Sequence, residues 1–195
     1  MEIGIMQKKM QFFSTVADSQ SGRIDSGWEK MTTTHYFSKI ALSRPTNGGQ
    51  DFYDARAIPP ATLVEITIAS NGGQDFYDVS NVDRFNVPIS VTPQGGSGQC
   101  KTSSCPNNIN NVCPAELQMK GSDGSAIACK SACLAFNQPQ YCCTGDFNTA
   151  EKCPPTKYSD IFKQQCPDAY CYAYDDKTST FTCFSNPDYA ITFYP

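Results

Sequence analysis

The cysteines constrain the fold of this chain more than any other feature of its sequence. All 11 lie between Cys100 and Cys183, and none precedes Cys100. Roughly one residue in eight of that segment is Cys, above the level of about 8–10% that marks a disulfide scaffold. A reducing compartment would leave such thiols unpaired, so the composition indicates an oxidising one. Because 11 is an odd number, at least one cysteine is free or bonded to another chain.

Zinc binding is the competing interpretation of so many cysteines. The sequence contains no C-x-x-C pair, and its single histidine, His35, lies far upstream of the cysteines. The usual Cys/His ligand spacings are therefore missing. We expect structural disulfides, with no metal and no cofactor. The isolated histidine also gives the cysteine-rich segment no Ser–His or Cys–His dyad for nucleophilic catalysis.

Charge and hydropathy argue against two classes of partner. A net charge of −4 and an isoelectric point near 4.9 disfavour nucleic-acid binding, which needs a basic surface. No apolar run approaches the roughly 18 residues that span a bilayer, so we expect no membrane partner. The N-terminus lacks the apolar stretch of a secretory signal. That observation stands in tension with the oxidising compartment that the cysteines require.

The first part of the chain contains a repeated octapeptide. Asn47-Gly-Gly-Gln-Asp-Phe-Tyr-Asp54 recurs letter for letter at 71–78. Two copies are too few for a solenoid, which needs about three repeats. We interpret the repeat as a local duplication or as an error in how the chain was assembled. Residues 7–19 are compatible with a short amphipathic helix.

Hydrophobic alternation predicts strands on both sides of the cysteine-rich segment. In the first strand, Glu65 should lie on one face, and Val64 and Ile66 on the other. Cys129 and Cys133 are four residues apart and would share one helical face. The expected strands are Ala61–Ile68, Asp75–Ser80, Phe85–Val91, Thr178–Cys183 and Tyr189–Phe193, and the expected helices are Ala128–Phe136 and Tyr158–Cys166, the latter with Ser159 as a helix cap. The layout predicts a β-sandwich with an appended helical subdomain.

A series of short motifs from Pro59 onward resembles one known family. The motifs are Pro59-Pro-Ala-Thr-Leu-Val-Glu65, Asp75-Phe-Tyr-Asp-Val-Ser80, Val82-Asp83, Cys113-Pro-Ala-Glu-Leu117, Ala128-Cys-Lys-Ser-Ala-Cys133, Tyr141-Cys-Cys-Thr-Gly145, Cys166-Pro-Asp-Ala-Tyr170 and Tyr174-Asp-Asp176. Over residues 59–195 they resemble the plant thaumatin-like (pathogenesis-related) proteins, whereas residues 1–58 form a non-matching N-terminal region. The resemblance implies a mainly β, thaumatin-like sandwich with a disulfide-rich helical subdomain at about 106–166.

The resemblance also implies a disulfide pairing, which spacing alone leaves open because even eight cysteines allow 105 pairings. Cys171 would be the free thiol, at a position where the family usually has Ser. The implied bridges are Cys100–Cys183, Cys105–Cys166, Cys113–Cys129, Cys133–Cys142 and Cys143–Cys153.

The chain departs from the family pattern towards both of its ends. The family ends in a Cys that bridges back to its N-terminal strand, but here that position is Tyr194, and no cysteine precedes Cys100. The chain therefore resembles an N-terminally truncated or altered member, with a sandwich incomplete at its N-terminal strands. If residues 1–58 do not supply those strands, the sandwich has unpaired edges.

The family has an acidic cleft between the sandwich and the helical subdomain, lined by one Arg, one Glu and three Asp. The matching acids here are Glu65, Asp78, Asp83 and Asp175, and the Arg has no match. Independently of the family, residues 47–99 hold six acids against two arginines, so an acidic surface is expected there. Carboxylates accept hydrogen bonds from sugar hydroxyls. The alternative is that these acids are solvated carboxylates at strand ends.

The resemblance implies an antifungal defence protein that binds β-1,3-glucan or another cell-wall polysaccharide. We expect a monomer that is secreted to the extracellular space or the vacuole. One alternative is a weak endo-β-1,3-glucanase with Glu65 as proton donor and Asp83 opposite, because a carboxyl pair across a cleft is the usual equipment of a glycosidase. The others are an inhibitor of microbial hydrolases and a degenerate, non-functional copy. Arg84 stands where the family usually has Gly, so we expect it to neutralise Asp83 or to strain a turn that needs positive φ.

Overall fold

The structure is a computed structural model that describes residues 10–14, 23–24, 39–46, 49–54, 61–69 and 72–194. Side chains are described for residues 61–69 and 72–194. The predicted domain boundary between residues 58 and 59 lies outside these ranges, as does His35.

Short strands dominate the described part of the chain, and its four helices are also short. The strands are β1 (Met10–Ser14), β2 (Arg23–Ile24), β3 (Lys39–Thr46), β4 (Gly49–Asp54), β5 (Leu63–Thr67), β6 (Asp75–Ser80), β7 (Arg84–Phe85), β8 (Ile89–Gln94), β9 (Ser103–Cys105), β10 (Gln118–Lys120), β11 (Ala126–Lys130), β12 (Phe181–Cys183) and β13 (Asp188–Phe193). The helices are α1 (Ala132–Phe136), α2 (Pro139–Cys142), α3 (Lys157–Gln165) and α4 (Asp176–Ser179), with 3₁₀ turns at Ile109–Val112 and Gly145–Phe147.

The strands form two five-stranded sheets and one three-stranded sheet. Their orders are β2-β1-β13-β8-β9, β12-β6-β5-β3-β4 and β10-β11-β7. The larger sheets share one apolar core, in which the Tyr77 ring of β6 lies 5.3 Å from the Tyr189 ring of β13. The Tyr189 hydroxyl donates a 3.0 Å hydrogen bond to the buried Asp75. The chain is therefore mainly β, with the sandwich that the sequence predicts.

The N-terminal region contributes strands to both large sheets. β1 runs parallel to β13, and β3 runs parallel to β5. These strands pair with the edges of β13 and β5 that would otherwise be unpaired. Met10–Ser14 is a strand, so the amphipathic helix considered for residues 7–19 is wrong in that part. Its pairing with β13 takes precedence over a weak helical pattern.

The predicted strands around the candidate site agree closely with the structure. In β5, Val64 and Ile66 are buried while Glu65 points to the other face, and β6 occupies Asp75–Ser80 as predicted. The predicted strand Phe85–Val91 is instead divided into β7 and β8. Asn86 leaves the strand because its side chain accepts a 2.7 Å hydrogen bond from the Thr62 N–H.

Five disulfides tie the second half of the chain together, and they join the same pairs that the family resemblance implies. The bridges are Cys100–Cys183, Cys105–Cys166, Cys113–Cys129, Cys133–Cys142 and Cys143–Cys153. Cys100–Cys183 spans 83 residues. On a loop-entropy model, closing a loop of that length stabilises the fold by about 4–5 kcal/mol. Cys171 is free and buried.

Two predictions for the disulfide-rich subdomain are wrong in detail. The predicted helix Ala128–Phe136 begins only at Ala132, because β11 extends to Lys130 and pairs with β10 and β7. Ser131 caps α1 by accepting a 3.2 Å hydrogen bond from the Leu134 N–H. Cys129 and Cys133 therefore do not share a helical face.

The other helix boundaries are set by hydrogen bonds of small polar residues. Thr156 caps α3, rather than the predicted Ser159, which stands three residues into the helix and completes a capping box. The predicted strand Thr178–Cys183 begins only at Phe181. The preceding residues form α4, where the Thr178 hydroxyl donates a 3.0 Å hydrogen bond to Asp175.

Gly96 provides a stability test because its backbone packs against the Cys100–Cys183 bridge. At φ +83°, an added Cβ would lie 2.5 Å from the Cys183 sulfur and 2.8 Å from the Phe184 carbonyl oxygen. Gly95 has φ +78° with nothing within 4 Å of such a Cβ. We expect Gly95→Ala to cost about 1–2 kcal/mol of unfolding free energy and Gly96→Ala about 1–3 kcal/mol more, because only Gly96→Ala adds steric overlap. Equal urea midpoints for the two variants would contradict this packing.

The cysteine pairing predicts a distinctive alkylation pattern. Cys171 is only 5% exposed, and burial raises the pKa of its thiol to about 12. Iodoacetamide should therefore leave the native protein unmodified. In denaturant without reductant it should label one cysteine, and after reduction all 11. Intact mass spectrometry measures each state, and two or more labels before reduction would show that the pairing is wrong.

Candidate functional site

The outer face of β5 and β6 forms the floor of a cleft of about 450 Å³. The alternation that buries Val64 and Ile66 in the core turns Glu65 towards this face. The same alternation in β6 turns Asp78 outward while Tyr77 and Val79 are buried. The cleft is lined by Leu63, Glu65, Thr67, Asp78, Ser80, Val82, Asp83, Tyr170 and Ala173. Three of the four acids predicted for the site therefore line one cleft.

Glu65 and Asp78 are direct neighbours across the β5–β6 pair. They occupy opposite positions in the antiparallel register. Residues placed in this way have Cβ atoms about 4.5–5.5 Å apart, and two like charges there destabilise each other. The sheet therefore forces two carboxyl groups together.

Asp78 holds a proton in this setting. Burial, together with the nearby negative charges of Glu65 and Asp176, raises the pKa of Asp78 to about 8. Its Oδ1 atom is buried and has no hydrogen-bond partner among the described residues. At neutral pH Asp78 is therefore a neutral carboxylic acid, which can donate one hydrogen bond and accept others.

Asp83 lies at another part of the cleft wall, where the sandwich meets the helical subdomain. Its side chain is exposed, and its carbonyl oxygen accepts a 2.9 Å hydrogen bond from the Ser131 N–H. This hydrogen bond holds the backbone of Asp83 next to Ser131, the residue that caps α1.

Arg84 follows Asp83 and fulfils only part of the expectation for it. It lies in β7 and does not have a positive φ, so the predicted turn strain does not occur. Its Nη1 donates to the Met119 sulfur at 3.6 Å. Burial lowers the pKa of Arg84, while the negative charge of Asp83 acts in the opposite direction. The two side chains therefore interact electrostatically.

The structure places Asp175 outside the cleft lining. Its carboxylate is buried in a 2.9 Å ion pair with Lys163. It also accepts hydrogen bonds from the Cys171 N–H at 3.0 Å and the Thr178 hydroxyl at 3.0 Å. With those donors engaged, Asp175 organises the chain around α4, and the expectation that it binds ligand does not fit its position.

Two groups that are not among the predicted site residues also act on the cleft. Tyr170 is a lining residue, and its N–H donates a 2.9 Å hydrogen bond to the Val79 carbonyl oxygen of β6. Its hydroxyl donates to Asp176 at 3.0 Å, and burial raises the pKa of Tyr170 to about 12. Asp176 in turn is one of the charges that hold the proton on Asp78. The adjacent acids Asp175 and Asp176 were the available signal, but sequence alone does not say which one Lys163 neutralises.

The chemistry of the cleft is that of oxygen donors and acceptors. In the part of the chain that the structure describes, no cluster of three or more His, Cys, Asp or Glu is arranged to hold a metal ion. The described helices are also too short or too polar for any of them to cross a membrane. Ionised carboxylates accept hydrogen bonds, and the protonated Asp78 adds a donor. Such a surface suits a neutral ligand rich in hydroxyl groups.

Comparison with known proteins identifies a family and several relatives. A sequence model described as the Thaumatin family matches residues 18–195. Thaumatin-like protein 1a of Malus domestica is 70% identical over 141 residues, which are 72% of this chain and 57% of that protein. Thaumatin-like protein 1 of Prunus persica is 73% identical over 139 residues, or 71% of this chain and 56% of that protein. A Prunus avium protein named glucan endo-1,3-beta-glucosidase is 69% identical over 139 residues, again 71% of this chain and 57% of that protein. The chain thus matches somewhat more than half the length of each relative.

The protonation of Asp78 predicts a pH-dependent stability. The pKa of Asp78 is raised from the unfolded value of about 3.9 to about 8 in the folded protein. A carboxyl with a raised pKa favours the folded state most at low pH, and this contribution is lost as the pH rises between those two values. Relative to Asp78→Asn, the wild type should lose stability across this window by at most about 1.4 kcal/mol per pH unit.

Two measurements test this prediction. Urea unfolding of both proteins at several pH values measures the stability difference, and ¹³C carboxyl NMR follows the Asp78 titration directly. Glu65→Gln should lower the pKa of Asp78 because it removes a neighbouring negative charge. An Asp78 resonance that titrates near pH 4 in the wild type would refute the assignment.

Proposed function

Because this chain belongs to the thaumatin family, we propose that it is a plant defence protein that binds β-1,3-glucan through its acidic cleft. The observation that carries the proposal is the pairing of Glu65 with a protonated Asp78 on the cleft floor. A glucan is neutral and bears hydroxyls that both donate and accept. Paired ionised carboxylates alone would offer only acceptors, whereas this pair offers both roles.

The open form of the cleft agrees with a polymeric ligand. Its floor runs along β6, with Asp83 and Tyr170 among the lining residues beside the disulfide-rich subdomain. The polysaccharide chain would lie along this floor with its hydroxyls towards the carboxyls. Recognition of fungal wall glucan would provide the antifungal role of a defence protein.

The disulfides support action outside the cytosol. Five bridges within the described chain need an oxidising compartment to form and persist. We therefore propose that the protein works in the extracellular space or the vacuole, where it would meet fungal walls.

A second candidate function is weak hydrolysis of the same polysaccharide. The 69% identical Prunus avium relative carries the name glucan endo-1,3-beta-glucosidase. A general acid must hold its proton near the working pH, and Asp78, with a pKa of about 8, meets that requirement. Asp78 is therefore a candidate proton donor in addition to Glu65, with Asp83 as the carboxylate across the cleft.

Binding to insoluble β-1,3-glucan tests the proposed function. Glu65→Gln should lower affinity by about tenfold or more, because hydrogen bonds to a charged group contribute roughly 1.5–3 kcal/mol. Asp78→Ala should lower it about two- to tenfold, because it removes an uncharged donor and acceptor, whereas Asp78→Asn keeps a donor and an acceptor and should bind nearly as the wild type does. Asp123→Asn is the matched control: it removes an exposed acid from the turn between β10 and β11 and should bind as the wild type does. Sedimentation with glucan particles and titration with soluble oligosaccharides measure both effects.

Release of reducing ends from the same glucan separates binding from hydrolysis. Binding without release supports the proposed glucan-binding function, and release that both Glu65→Gln and Asp78→Asn abolish supports the glucanase. Release that survives both substitutions would show that these carboxyls are not the catalytic groups. Absence of binding by a correctly disulfide-bonded wild type would overturn the proposed function.

A further inference from the structure

Phe76 is an exposed aromatic residue on an interior strand of a sheet. It lies in β6, which has β12 on one side and β5 on the other. Its ring is 45% exposed, although Asp75 and Tyr77 on either side of it are buried. A large apolar side chain on an interior strand normally packs against a second layer. Phe76 keeps nearly half of its surface in solvent, which marks it as a candidate contact surface.

The ring stands on the same face as the acidic cleft. Side chains alternate along a strand, so Phe76 and Asp78 point to one face and lie about 7 Å apart along β6. Opposite Phe76 on β5 is Thr67, which lines the cleft. Opposite it on β12 is Thr182. The ring thus continues the cleft floor beyond the Glu65–Asp78 row, with a threonine on each side.

The surroundings of the ring decide what it would bind. An apolar protein surface would need hydrophobic side chains directly beside Phe76, but the residues paired with it on β5 and β12 are Thr67 and Thr182, and the next residue on this face of β6 is Asp78. A hexopyranose has a flat face of C–H groups and a rim of hydroxyls. The C–H groups suit the electron-rich face of an aromatic ring, and the hydroxyls suit threonines and carboxyls.

We propose that Phe76 is a stacking subsite for one glucose unit of a glucan chain whose next units lie over Glu65 and Asp78. This inference rests on the glucan binding proposed above and extends it by a subsite outside the acid cluster. It sets the path of the ligand: the chain runs along β6 from Phe76 at the open end towards Asp83 beside the helical subdomain. The aromatic ring supplies apolar contact, while the acids beyond it supply directional hydrogen bonds.

Titration of the folded, disulfide-bonded protein with soluble β-1,3-gluco-oligosaccharides tests the subsite. Phe76→Ala should lower affinity roughly three- to tenfold, and Phe76→Tyr should restore it because the aromatic face is kept. Leu134→Ala on α1 is the control, since Leu134 is exposed to a similar extent, 43%, outside the residues that line the cleft. Thermal unfolding should show that Phe76→Ala is folded at the titration temperature and is destabilised by about 1 kcal/mol at most, because the residue is 45% exposed and contributes only part of its surface to packing.

Proton NMR provides a readout that a purely structural role would not change. Sugar C–H protons stacked on the ring should shift upfield when the wild type or Phe76→Tyr binds, and this shift should vanish with Phe76→Ala. Wild-type affinity and unchanged sugar shifts in Phe76→Ala would overturn the subsite while leaving glucan binding intact. If the wild type binds no glucan, the proposed function fails first and the subsite fails with it.

Discussion

The pairing of β5 with β6 is the constraint on which both the core and the cleft depend. In this antiparallel ladder, one set of alternate residues enters the sandwich core and the other set forms the cleft floor. A slip of one residue would exchange the faces, placing Glu65 in the core and Val64 in water. Burial of Val64, Ile66, Tyr77 and Val79 therefore fixes the position of the carboxyls. As a consequence, the carboxyl groups of Glu65 and Asp78 face each other across the strands. Asp78 avoids the repulsion between two negative charges by retaining its proton.

The cleft wall is held in place by the disulfide-rich half of the chain. Tyr170 follows Cys166, which is bridged to Cys105 of β9, and its backbone hydrogen-bonds to Val79 and Asn81. The wall is thus joined covalently to one sheet and by hydrogen bonds to the other. Loops that carry a binding site need such support because they have little core of their own. The bridges therefore contribute to cleft geometry as well as to stability.

Much of this arrangement could be predicted from the sequence, because period-two alternation and the cysteine motifs are strong signals. The strand positions of Glu65 and Asp78 follow from alternation alone, and the bridge pattern follows from the family resemblance. The helix expected at Ala128–Phe136 failed because strand pairing and the bridge from Cys129 to Cys113 outweigh local helical spacing. Alternation alone does not decide whether Phe76 faces the core or the cleft. Only the register shows that it lies on the cleft face, where nearly half of its surface is exposed.

Asp175 and Asp176 show why adjacent acids acquire different roles. Lys163 on α3 pairs with the buried member, Asp175, and it also donates to the Ala169 carbonyl oxygen at 3.1 Å and the Ser179 hydroxyl at 2.8 Å. A buried carboxylate without such a partner would be costly, so Asp175 serves the fold. Asp176 has no part in that ion pair. It accepts a hydrogen bond from the Tyr170 hydroxyl and adds negative charge near the cleft. The ion pair with Lys163 thus makes Asp175 a structural residue, whereas Asp176 keeps a charge that raises the pKa of Asp78. This difference depends on which acid lies beside Lys163 in the folded protein, and the identity of the residues alone cannot predict it.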